Sequence, residues 1–111
     1  MGAASRTDAR DLFTALGHRI RRQILREMIA RRTELSPSEL AEELGHSLGK
    51  LSYHFGILVE CGAIKLVRTR PAARGSTRHF YRPAIDEEWA RRALRATAPD
   101  QARKKRGEEN G

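Results

Sequence analysis

The segment from Ser36 to Gly62, SPSELAEELGHSLGKLSYHFGILVECG, constrains the fold more than any other part of the chain. Ser36 and Glu39 form an S-x-x-E capping box, and Pro37 stands at the first helical position, where its missing N–H costs nothing. The helix that starts there has Leu40, Ala41 and Leu44 as its buried stripe, and Gly45 stops it. Gly45-His46-Ser47 is a three-residue turn, and Ser47 is placed to cap a second helix over about Leu48–Cys61. Two helices joined by so short a turn predict a helix-turn-helix, with the second helix presented outward.

In the second helix Leu48, Leu51, Phe55 and Leu58 are spaced 3, 4 and 3 and should share one buried face. Tyr53 then points almost opposite, with Gly49 and Lys50 near it, Ser52 and His54 on the flanks and Ile57 outward. After Gly62, Ala63–Thr69 and Thr77–Pro83 read as two strands joined by a loop over Pro71–Ser76. Lys65, Arg68, Arg70, Arg74, Arg78 and Arg82 punctuate that hairpin, which contains no Asp or Glu. A basic hairpin beside an outward helix predicts a winged helix-turn-helix: mainly α, with a small β-hairpin and flanking N- and C-terminal helices.

The first flanking helix is capped by Asp8 and carries Leu12, Phe13 and Leu16. A break at Gly17 precedes a stronger helix over about His18–Arg31, in which Ile20, Ile24, Leu25, Met28 and Ile29 recur at helical spacing. Arg19, Arg22, Arg26 and Arg32 lie mostly on its other side and read as a solvated face. Thr33–Leu35 is a short extended link. A last helix over Asp86–Ala96 bears Trp89, Ala93 and Leu94. Residues 1–7 and 98–111, the latter with Arg103-Lys104-Lys105-Arg106, are polar and expected to be disordered. One domain over residues 8–97 is the resulting organisation.

The chain has 111 residues and a formal charge of +8, which predicts attraction to a polyanion such as nucleic acid or an anionic membrane surface. Charge alone carries no sequence selectivity. The single cysteine, Cys61, cannot close an internal disulfide, which favours a reducing compartment. No apolar run is long enough to span a membrane, and the first residues lack the apolar segment of a secretory signal. A cytoplasmic protein without membrane association is the expectation. No phosphate-cradling GxxxxGK[ST] occurs, and no nucleophile, base and orienting group converge, so an enzyme is not expected. Glu42-Glu43 and Glu87-Glu88 read as solvated helix faces.

The element order resembles that of the ArsR-type winged-helix repressors, and particular residues carry the likeness. ALGHRIRRQIL at Ala15–Leu25 resembles the family's "AL…R…IL" segment, with Arg21 at its arginine. ELAEELG at Glu39–Gly45 resembles the first helix of the turn motif. LSYHFGILVECGAI at Leu51–Ile64 resembles the "SxHLxxLxxAGLV" signature, with Ser52, His54, Phe55, Leu58 and Gly62 at matching positions. HFYRP at His79–Pro83 resembles the returning wing strand. The likeness covers roughly residues 9–96.

The resemblance implies a homodimeric, sequence-specific regulator of transcription that binds double-stranded DNA, more often a repressor than an activator. It does not carry over metal sensing. Cys61 has no paired cysteine, the last helix has no histidine, and His18, His46, His54 and His79 lack metal-ligand spacing. No metal or cofactor is expected.

The expected DNA-contacting residues are Ser47, Lys50, Ser52, Tyr53 and His54 on the second helix of the motif and Arg70, Arg74 and Arg78 on the wing. Lysine can donate to guanine O6 and N7, the hydroxyls can bond phosphate or base edges, and the arginines suit phosphate or the minor groove. The competing reading is an ordinary polar helix face and a wing that is merely basic. His54 has a further alternative as a packing residue. Leu12, Phe13, Leu16, Trp89, Ala93 and Leu94 form the expected dimer interface, in line with the terminal helices of the resembled family; alternatively they cover the monomer's own core. Two other functions fit the same fold, a protein-interaction module and a non-specific architectural nucleic-acid binder.

Overall fold

The computed structural model describes residues 8–99. The expectations for residues 1–7 and for the tail beyond residue 99 lie outside the described residues. Helices α1 (Ala9–Leu16), α2 (Arg19–Arg31), α3 (Pro37–Leu44) and α4 (Leu48–Glu60) are followed by strand β1 (Ile64–Pro71), a short 3-10 turn (Ala73–Gly75), strand β2 (Thr77–Pro83) and helix α5 (Glu88–Ala96). This is a winged helix-turn-helix, mostly helical with a two-stranded antiparallel hairpin.

Local signals set the helix boundaries. The Asp8 side chain accepts from the N–H of Arg10, and His18 Nδ1 accepts from that of Ile20. Both halves of the Ser36–Glu39 capping box form. Gly45 ends α3 at φ 76, and nothing lies within 4 Å of where a Cβ would stand. Glycine is therefore required there by backbone conformation, not by space.

One core joins every helix. Leu12 and Ala15 of α1, Ile24, Leu25 and Met28 of α2, Leu40 of α3, Leu51, Phe55 and Leu58 of α4, and Ala90 and Leu94 of α5 are all buried. Burying a Leu or Phe side chain contributes about 1.5–3 kcal/mol, so the inward row of α4 alone anchors the helix firmly.

Several expectations need correction. Leu48 is 53% exposed, although its spacing matches the buried row. As the first residue of α4 it precedes the turn of helix that reaches the core. Ile57, expected outward, is partly buried against the core. Leu12 and Leu94, expected at a subunit interface, are 0% and 2% exposed because α1 and α5 close the monomer's own core. Leu16 packs partly against that core and Ala93 is half-buried. Of that set, Phe13 (66%) and Trp89 (39%) remain well exposed.

The wing is tied to the helices at its root. Leu35 and Tyr81 exchange both backbone hydrogen bonds (3.0 and 2.9 Å), so the link after α2 acts as a one-residue third strand beside β2. The Tyr81 ring also meets Phe55 edge-on, with centroids 5.3 Å apart. Within the hairpin the register runs from Ile64–Pro83 to Pro71–Thr77, with a bulge between Leu66 and Arg68.

Candidate nucleic-acid interface

The exposed side of α4 follows from its cap and its inward row. Ser47 Oγ accepts the N–H of Lys50 at 3.1 Å, which fixes the first turn. With Leu51, Phe55 and Leu58 turned into the core, Gly49, Lys50, Ser52, Tyr53 and Gly56 face outward. Tyr53 is 65% exposed. The Lys50 ammonium makes no hydrogen bond or ion pair among the described residues. Nothing lies within 4 Å of a Cβ built at Gly49 or Gly56, so this side of the helix is unobstructed.

His54 does not belong to that surface. It is 5% exposed, so its side chain is packed inside and does not stand with the other expected DNA-contacting side chains. The start of α2 covers it. Arg21 donates through Nη1 toward His54 Nδ1 (3.3 Å), and through Nε (3.2 Å) and Nη2 (2.9 Å) to the carbonyl of Thr14. Since arginine only donates, Nδ1 accepts, which assigns the remaining ring proton to Nε2. The His18 ring lies 4.4 Å from that of His54, and Tyr53 stacks edge-on at 5.1 Å. Burial, followed by the charges of His18 and Arg21, holds the His54 pKa below its ordinary value. A chain of contacts thus runs from the end of α1 through Arg21 and His54 to the outward tyrosine. Nothing local in sequence announces it, because Arg21 and His54 are 33 positions apart.

On the wing, Arg70, Arg74 and Arg78 are all exposed, and none has an ion pair or hydrogen bond from its side chain among the described residues. Arg70 and Arg78 are direct cross-strand partners, as are Lys65 and Arg82. Facing like charges destabilise a hairpin in isolation. Arg74 sits at φ 61 in the tip, a left-handed conformation that a non-glycine residue adopts at some cost. Arg68 is different: it pairs with Glu34 and lies over the Phe80 ring, 4.6 Å from its centroid. That arginine secures the wing to the α2–α3 link.

Helix α4 and β2 border an open groove of about 370 Å³, lined by Leu48, Ser52, Gly56, Thr77, Arg78 and His79. The outward helix and the basic hairpin therefore stand side by side with a cleft between them. Cys61 is buried, and burial pushes its thiol pKa up, away from the reactive thiolate. No group of three or more His, Cys, Asp or Glu among the described residues could hold a metal ion. No helix among them is long and apolar enough to cross a membrane.

No curated protein shows a significant match to the chain. Residues 16–67, from the end of α1 into the first wing strand, match the family model described as a helix-turn-helix domain.

Proposed function

We propose that the protein is a sequence-specific, double-stranded-DNA-binding regulator of transcription, acting as a homodimer and repressing by promoter occupancy. Residues 8–97 are its working unit. Helix α4 enters the major groove with Lys50, Ser52 and Tyr53 toward base edges and phosphates, and Ser47 at the groove's rim. The wing lays Arg70, Arg74 and Arg78 on the adjacent backbone or minor groove.

The observation that carries this reading is the pairing of two unobstructed surfaces. One is the outward side of α4; the other is a hairpin whose facing arginines repel one another until an anion arrives. The exposed Phe13–Trp89 pair, with ring centroids 5.2 Å apart, supports association through α1 and α5. A two-fold dimer of this kind places its reading helices about 34 Å apart and reads a pseudo-palindrome.

Selection of bound duplexes from a random pool, followed by anisotropy titration, tests the proposal. Enrichment of a two-fold symmetric site is expected, with Lys50→Ala and Tyr53→Ala weakening that site more than random DNA. Equal affinity for selected and random duplexes would instead identify a non-specific binder. A protein pull-down that survives nuclease, with no DNA binding, would identify an interaction module.

A further inference from the structure

A second cationic site lies at the root of the wing, away from the groove beside α4. The end of α2, the two strands and α5 enclose an open cleft of about 620 Å³. Arg32, Thr33, Lys65, Arg82 and Arg91 line it, Ile29 contributes to its apolar side, and no carboxylate borders it. Arg82 stands four positions along β2 from Arg78, about 13 Å away at the usual strand rise, so the cleft is distinct from the tip cluster.

Three features set this cleft apart from a merely basic surface. Lys65 and Arg82 are opposed in the register, so two cations stand on neighbouring strands with nothing anionic between them. Arg32 occupies the left-handed cap of α2 at φ 55, where glycine or asparagine is the usual solution. Arg91 is half-buried, and its Nε donates to the carbonyl of Ile85 at 2.9 Å, which fixes the guanidinium and leaves its other N–H groups for a ligand. Repulsion, an unfavourable backbone and a pre-aimed fork are accepted together at one place.

We propose that this cleft binds a phosphate-bearing anion, with Arg91 and Arg82 as forked donors, Lys65 and Arg32 as charge partners and the Thr33 hydroxyl as a further donor. Guanidinium groups match phosphate oxygens two at a time, and a cleft of this size admits a small phosphorylated compound. The bound anion bridges α5, which carries Trp89, to the root of the wing. Binding of the anion alone does not rest on the DNA-binding reading.

The test is titration of the full chain with inorganic pyrophosphate at low ionic strength, by calorimetry and amide NMR, against sodium chloride at matched ionic strength. Saturable one-to-one binding is expected, with shifts concentrated at Arg32, Thr33, Lys65, Arg82 and Arg91. The double variant Lys65→Gln/Arg82→Gln should bind at least tenfold more weakly. Arg32→Gly guards against loss of fold: it relieves the left-handed cap, so thermal stability should rise while pyrophosphate affinity falls several-fold. Non-saturable binding, shifts spread equally over Arg70, Arg74 and Arg78, or affinity unchanged in both variants would overturn the site. Repeating the titration with DNA bound identifies the source of the phosphate. Persistence of pyrophosphate binding on the complex assigns the site to a free compound, and mutual competition assigns it to the DNA backbone.

Discussion

Removing the facing arginines of the wing should move stability and DNA affinity in opposite directions. The perturbation is Arg70→Gln/Arg78→Gln, two substitutions at direct cross-strand partners that are exposed and make no side-chain bond among the described residues. Opposed Cβ atoms are about 5 Å apart. Guanidinium groups that splay to about 8 Å still repel by about 0.5 kcal/mol in water. The free variant should therefore be as stable as the parent, or more stable by up to about 0.5 kcal/mol. On DNA each lost phosphate contact lowers the slope of log K against log salt by about 0.9, so two lower it by about 1.8. At 0.1 M salt that is about 1.8 decades, roughly a 60-fold loss or 2.4 kcal/mol per protomer. A homodimer gripping with both wings doubles both logarithms. Anisotropy titration at several salt concentrations, with urea unfolding of the free protein, reads all three quantities. A parent-like slope, or a stability loss above about 1 kcal/mol without loss of DNA affinity, would refute the assignment.

Three further outcomes follow from the same structure. Ser36→Ala removes a fully buried capping hydroxyl and with it the bond from the Glu39 N–H, while the Ser36 N–H still donates to the Glu39 carboxylate; unfolding should show a loss of about 1–2 kcal/mol. Because burial holds the His54 pKa below its ordinary value of 6.5, the unfolded chain binds the extra proton more readily. The stability contribution is complete above pH 6.5 and is lost as pH falls through the lower folded value, so His54→Gln should flatten that part of the pH–stability curve in denaturant titrations. Phe13→Ser/Trp89→Ser should shift sedimentation toward the monomer, with a loss of monomer stability of about 1–2 kcal/mol because Trp89, at 39% exposed, is partly covered.

What could be read in advance depended on how local the cause was. The start of α3, the stop at Gly45 and the cap at Ser47 are each set within four residues, and all three formed as expected. The basic hairpin was equally legible, because the alternation of cations and the Pro/Gly loop lie in one short stretch. Periodicity failed at Leu48, since a repeat cannot say where the neighbouring element stops covering it. At Leu12 and Leu94 the apolar character fits a core or an interface equally well, and the resemblance, not the spacing, pointed to the interface. The burial of His54 required knowing that Arg21 folds back onto it. The Arg68–Glu34 pair and the Leu35–Tyr81 bridge join positions 34 and 46 apart along the chain. On the outward side of α4, sequence and structure agree for Lys50 and Tyr53, and Ser52, expected on a flank, is exposed beside them.

The bulge in β1 determines how charge is distributed over the wing. Lys65 and Arg68 are an odd number of positions apart and would ordinarily project from opposite sides of a strand. The extra residue between Leu66 and Arg68 cancels that alternation. Lys65, Arg68 and Arg70 therefore stand with their partners Arg82, Phe80 and Arg78 on a single side. Thr69, His79 and Tyr81 are left on the other. Deleting Val67 would make the strand regular and keep the cations together, whereas pairing Val67 into the ladder would split them between the two sides, turning a polarised ribbon into one with no electrostatic front or back.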